Sequence, residues 1–260
     1  RQLRDYSTMI RALNPVNGIN PFTLKNCADL GDVGANPSDI HEAMQQITEF
    51  YTATTKMGIV PMTAGGDHLV SLPVLRGLAQ DGPLGMIHFD AHTDLFDTYF
   101  GGAKYTHGTP FRRAIEENLL DPKRMVQVGI RGTAYNTEDI DWGREHGVTI
   151  IRIEELFERG IPNVMAQARD IVGDQETYCS FDIDIIDPSF APGTGTPEIG
   201  GVTSFQAQQL VRELTGLNLV GADLVEVSPP FDPSGSTGWV GVSIMFELLC
   251  MLAQVQKQRV

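Results

Sequence analysis

Three short stretches hold the residues best suited to chemistry. The densest is 177–198, where Asp182, Asp184 and Asp187 end a short run containing Tyr178, Cys179, Phe181 and Ile183. Three carboxylates at one strand end repel one another, and burial of any of them raises its pKa. The cluster becomes favourable when cations sit among it, because hard divalent ions take oxygen ligands. Gly65-Gly66-Asp67-His68 and Asp90-Ala91-His92-Thr93-Asp94 are the other two stretches, and each also follows an apolar run directly. Taken singly, each has a plainer reading as a capped turn, and a lone Asp-x-Asp is a weak motif. Three such clusters on three strand ends are hard to explain as turn chemistry alone.

If the three strands are neighbours, six groups meet: His68, Asp90, His92, Asp94, Asp182 and Asp184. Four carboxylates and two imidazoles with no thiolate suit Mn²⁺, with Co²⁺, Ni²⁺ or Zn²⁺ as substitutes, more than a structural zinc site. Six ligands exceed what one ion with an open position uses. They suit a pair of ions about 3.5–4 Å apart.

The elements that must position these groups alternate regularly. Helices are expected over 38–56, 69–78, 110–118, 137–146, 163–171, 204–215 and 239–256, with Ser38 as a cap. Strands are expected over 27–30, 59–64, 85–89, 125–130, 148–151, 177–183 and 219–227. Asn14-Pro15 and Asn20-Pro21 break residues 1–26 into loop. The alternation predicts a single α/β domain over 1–260 with a mainly parallel sheet. In such sheets ligands bind beyond the carboxyl ends of the strands, where all three clusters fall.

Composition narrows the classes. A chain of 260 residues with 42% hydrophobic content can bury one large core. A formal charge of −14, with no basic stripe, argues against a nucleic-acid partner. No run approaches the ~18 apolar residues of a membrane span, and Arg1 to Asp5 has no signal-peptide pattern. Cys27, Cys179 and Cys250 are widely spaced in apolar surroundings, as in a reduced cytoplasmic protein.

Gly65-Gly66-Asp67-His68, Asp90-Ala91-His92-Thr93-Asp94 and Ser180-Phe181-Asp182-Ile183-Asp184 with Asp187-Pro188 resemble the signatures of the ureohydrolases, the arginase–agmatinase family. The stretch 191–198, the stretch 107–113 and Glu226-Val227-Ser228-Pro229 resemble its agmatinase and guanidino-acid hydrolase branch more than arginases. The likeness runs from about residue 26 to the end.

The resemblance implies a three-layer α/β/α sandwich and two Mn²⁺ per subunit. It also implies homotrimers or homohexamers and hydrolysis of a small guanidino substrate to urea and an amine. It assigns His68, Asp90, Asp94 and Asp182 to one ion. Asp90, His92, Asp182 and Asp184 go to the other, so Asp90 and Asp182 bridge. It makes Asp94 an orienting group for the nucleophile, His107 the proton donor to the departing amine, and Glu226 the carboxylate that pairs with the guanidinium. Arg131 and Tyr135, in the loop 131–138, are expected at the substrate's other end. Asp187 and Glu198 are expected to support the ligands.

The wording of 105–113 and 226–232 favours a short guanidino acid such as 3-guanidinopropionate or 4-guanidinobutyrate, with agmatine as the alternative. Family members carry a first strand and a glycine-rich, Arg-containing loop before the point matching residue 1, so an exposed sheet edge is expected here. Leu69 stands where many members have Ser. A metal-storage module would lack His107 and Glu226. A binuclear phosphoesterase would need a phosphate loop that the sequence does not contain.

Overall fold

The structure, a computed structural model, describes residues 1–255. Its described residues form one six-stranded sheet built from β1 (Met62–Ala64), β2 (Leu84–Phe89), β3 (Leu120–Ile130), β4 (Thr149–Arg152), β5 (Thr177–Asp182) and β6 (Leu219–Val225). The spatial order is β1-β6-β5-β2-β3-β4, and every pairing is parallel. Crossover helices cover both faces, as parallel strands require.

One face carries α3 (Ile40–Lys56), α4 (Ser71–Leu78), α5 (Pro110–Glu116) and α6 (Glu138–His146), packed around Leu72, Leu75, Met86, Phe111 and Tyr178. The other carries α7 (Ile153–Arg159), α8 (Ile161–Val172), α9 (Ser204–Arg212) and α10 (Ser236–Gln254), packed around Phe89, Val128, Phe181, Leu210 and Leu248. This is the three-layer α/β/α sandwich.

The order reverses direction between β2 and β5. From β2 the chain steps outward to β3 and β4, then returns to lay β5 on the other side of β2. A crevice opens at such a switch point beyond the strand ends. Asp90 follows β2 and Asp182 closes β5, so the reversal brings these two carboxylates together.

Several local expectations differ. Residues 1–26 hold two short helices, α1 (Gln2–Ser7) and α2 (Pro21–Leu24). Asn20 caps the second by accepting from the Phe22 N–H, with Pro21 in its first turn. Tyr6 of the first stacks on Trp239 at 4.5 Å, so α10 holds this segment in place. Residues 27–30 run as irregular chain. The amphipathic turn Ile153–Arg159, which buries Ile153 and Leu156, was not foreseen.

The last helix ends at Gln254, and position 256 of the expected helix lies outside the described residues. That helix, at 19 residues, is long and apolar enough to cross a membrane by composition, contrary to the sequence reading. In the fold it lies against α9 and β6, and buried Glu247 on it pairs with Arg212 and accepts from Asn14. Among the described residues β1 pairs only with β6 and is an edge of the sheet.

One row of polar side chains crosses the sheet on the α3–α6 side. Register pairs Thr63 with Asp223, Asp223 with Ser180, Ser180 with His88, and His88 with Gln127. All but Thr63 are fully buried. Their neighbours one residue away, such as Phe89, Phe181 and Leu224, point into the opposite core, as the two-residue strand period demands.

Candidate functional site

Four adjacent strands, β1, β6, β5 and β2, end at one crevice. After β1, Asp67 caps a 3-10 turn, His68–Val70, by accepting from the Leu69 N–H, and this turn drives the His68 ring inward. His68 Nδ1 lies 3.2 Å from Asp90 Oδ2, 2.9 Å from Asp94 Oδ2 and 3.1 Å from Asp182 Oδ2. His92 Nδ1 lies 3.0 Å from Asp184 Oδ2 and 3.5 Å from Asp90 Oδ1. The six groups predicted from sequence therefore meet as two sets, with Asp90 presenting one oxygen to each. Asp94 takes a left-handed backbone, φ 55°, to turn its carboxylate back into the crevice.

The electrostatics call for positive charge. Burial pushes the Asp182 carboxyl well up, and Asp184 and Asp90 push it further. Burial and then Asp90 also raise the Asp184 carboxyl. Burial opposes charging of His92, yet Asp184 and Asp90 prevail and push it up to about 12. His68 Nδ1 is buried with no hydrogen-bond partner of its own. An imidazole nitrogen facing three carboxylate oxygens is stable only with a proton or a metal cation between them. Oxygen and imidazole donors, with no thiolate, fit hard and borderline divalent ions.

Behind His68 runs a chain that sequence reasoning missed. Ser180 Oγ donates to Asp223 Oδ1 at 2.7 Å and lies 2.8 Å from His68 Nε2. Asp223 also accepts from Ser71, Tyr178 and the Phe181 N–H. With its one proton given to Asp223, Ser180 accepts from His68 Nε2–H, which leaves Nδ1 facing the carboxylates. The available signal was a polar residue inside an otherwise apolar buried strand, as at Ser180 and Asp223.

Glu226 follows β6 with φ 63° and accepts from the His68 backbone N–H at 2.8 Å. Burial pushes its carboxyl up to about 7. His107 is half-buried and edges against Tyr99 and Phe100, each ring pair 5.5 Å apart. Tyr135 is exposed, 6.2 Å from Tyr99.

Arg131, expected at the substrate tail, is turned inward. It donates to the backbone carbonyls of Gly129, Asp184, Glu198 and Ile199. The guanidinium thus ties the end of β3 to the loop 184–199. Glu198 accepts from the Thr133 N–H and hydroxyl, and Asp187 accepts from the N–H groups of Ser189, Gly200 and Gly201. Both brace the loops around His92.

Comparison with known proteins bears on this arrangement. The model of the family described as "Arginase family" matches residues 1–251. A guanidinopropionase of Pseudomonas aeruginosa is 55% identical over 254 residues, 98% of this chain and 80% of that protein. A guanidinobutyrase of the same organism is 46% identical over 259 residues, 99% of this chain and 81% of that protein. Among solved structures, proclavaminate amidino hydrolase from Streptomyces clavuligerus superposes with a TM-score of 0.93 at 37% identity, covering 98% of this chain and 85% of that one. The chain belongs to the arginase family and is an enzyme of the ureohydrolase type.

Proposed function

We propose that this enzyme hydrolyses the guanidino group of a short linear guanidino acid, 3-guanidinopropionate or 4-guanidinobutyrate, to urea and the corresponding amino acid. The observation that carries the reading is the 55% identity to a guanidinopropionase across 98% of the chain. His68, Asp90, Asp94 and Asp182 would hold one Mn²⁺, and Asp90, His92, Asp182 and Asp184 a second. Such ions supply Lewis acidity that ionises water near neutral pH and stabilises charge at a tetrahedral carbon.

The chain's own residues do the rest. Glu226 pairs with the guanidinium and fixes its plane. Asp94 accepts a hydrogen bond from the attacking water and orients it. Water adds to the guanidino carbon, the bond from that carbon to the alkylated nitrogen breaks, and His107 protonates the departing amine. Tyr135 meets the tail, while Arg131 acts from behind by holding the loop carbonyls. The three free thiols support a reducing, cytoplasmic setting, and the subunit is proposed to assemble as a homotrimer or homohexamer.

Agmatine is the second reading. The aromatic group of Tyr99, Phe100 and Tyr135 favours it, because aromatic faces suit an ammonium tail. Urea release from arginine, agmatine, 3-guanidinopropionate, 4-guanidinobutyrate and free guanidine decides between them. A guanidino acid is expected to give the highest kcat/KM, and arginine as best substrate overturns both readings.

A further inference from the structure

His88 stands two residues before Asp90, inside β2, where its strand neighbours are apolar. It is fully buried, and its ring packs edge-on to His68 at 5.1 Å and to Phe111 at 4.5 Å. Its Nε2 is 2.8 Å from Asp90 Oδ2. On the next strand, in register, lies Gln127, with Nε2 3.0 Å from His88 Nδ1 and 2.6 Å from the backbone carbonyl of Thr93.

The protons in this chain are determined by one atom. The Thr93 carbonyl can only accept, so the Gln127 atom facing it is the amide nitrogen. The reverse amide orientation would set two carbonyl oxygens against each other. It would also aim the NH₂ at the Oε1 position, where no hydrogen-bond partner lies. The same nitrogen therefore donates to His88 Nδ1, which must be a bare acceptor. The His88 proton then sits on Nε2 and is given to Asp90 Oδ2. His88 Nε2 is thus a donor, although His68, His88 and Asp90 are close enough to form a ligand set by distance alone.

We infer that His88 is a positioning residue which, oriented by Gln127, holds Asp90 in the attitude needed to serve two cations at once. The geometry gives each Asp90 oxygen its own restraint. Oδ1 accepts from the His92 N–H at 2.6 Å and faces the His92 set. Oδ2 accepts from His88 and faces His68. A carboxylate that swings about its last bond would leave one set or the other. Loss of the His88 donor frees Oδ2 only, so the damage falls mainly on the His68 side. Thr93 belongs to the same loop as His92 and Asp94, so Gln127 couples the loop carrying ligands of both sets to the orientation of Asp90.

The inference rests on the two-cation reading above. Its test is a Mn²⁺ titration of chelator-treated full-length protein by calorimetry. Wild type is expected to take up two Mn²⁺. His88→Phe keeps the ring packing and removes the donor. It is expected to weaken one ion about 10–100-fold and leave the other within about threefold. His88→Gln, which restores an N–H near the Nε2 position, is expected to recover most of that loss. A purely structural role would not be rescued in this way.

Should His88→Phe fail to fold, Gln127→Leu tests the same chain, with a loss in the same direction of about 3–10-fold. The ¹⁵N imidazole spectrum of Zn²⁺-loaded wild type is expected to show His88 Nδ1 bare and Nε2 protonated. A proton on Nδ1, or an Nε2 bound to metal, overturns the inference. So does binding of both Mn²⁺ by His88→Phe as in wild type. If wild type itself takes up no Mn²⁺, the two-cation reading falls and this inference falls with it.

Discussion

Glu226 Oε1 accepts a hydrogen bond from the backbone N–H of His68 at 2.8 Å. The carboxylate proposed to grip the guanidinium is thus anchored to the residue that opens the metal-ligand set. Glu226 reaches it through a left-handed backbone, φ 63°, which a β-branched or bulky residue would resist. Glu226→Gln preserves the acceptor for His68 but removes the charge that pairs with the substrate. We expect kcat/KM for the best guanidino substrate to fall about 100-fold or more, with metal content unchanged. Steady-state urea assays with parallel metal analysis check this.

The metal centre predicts a hierarchy. Two Mn²⁺ per chain are expected, and a chelator should abolish activity that Mn²⁺ restores. Asp90→Ala and Asp182→Ala each remove an oxygen donor proposed to be shared by both ions, so each should cost more metal than His68→Ala. Elemental analysis after dialysis ranks the three variants. Stoichiometry of one ion with full activity would exclude the two-ion scheme.

Among the described residues the His107 side chain has aromatic edges, those of Tyr99 and Phe100, but no hydrogen-bond or ion-pair partner that would make it structural. His107→Asn should lower kcat about 10²–10⁴-fold, the usual range for a lost general acid, while leaving metal content and thermal stability near wild type. Loss of metal in this variant would mean the histidine serves the cations.

A distal prediction concerns pH and stability. Asp232 accepts from the N–H groups of Ser234, Gly235 and Thr237 and from the hydroxyls of Ser234 and Ser236, at the start of α10. Burial pushes its carboxyl up, but these bonds outweigh burial and hold it well below the usual carboxylate range. A depressed native pKa gives stability that is present above the unfolded-state pKa, near 4, and lost as pH falls through the native value. Asp232→Asn should therefore destabilise by about 1–3 kcal/mol at pH 7, and the gap to wild type should shrink towards pH 3. Melting curves at the two pH values measure it.

Gly132 gives the most local steric test. A Cβ there would lie 2.3 Å from His92 Cδ2 and 2.7 Å from its Nε2. Gly132→Ala should displace the His92 ring and weaken one cation about 10-fold or more, with little change in melting temperature of the chelated protein. Calorimetric titration with Mn²⁺ reads the effect directly.

Much of this was legible in the chain itself. Asp90-Ala91-His92-Thr93-Asp94, Asp182-Ile183-Asp184 and Gly65-Gly66-Asp67-His68 each follow an apolar run, and alternation with helical periods places them at strand ends of a parallel sheet. Those are local properties, carried by a few consecutive residues. Strand order is not local. That β5 returns to lie beside β2 is decided by how helices on two faces pack, and only this order joins Asp90 to Asp182. Register decided the rest. His88, Ser180, Asp223 and Gln127 are polar residues on four separate strands. Pairing over separations of 39 to 92 residues turned them into one buried row behind the ligands. Arg131 went the same way: its sequence context suggested a substrate contact, but the carbonyls it holds belong to a loop brought near only by the fold. Residue types and spacing thus determined which groups do chemistry. Long-range packing decided which groups hold them in place, because a buried polar side chain takes its partners from whatever strand the core sets beside it.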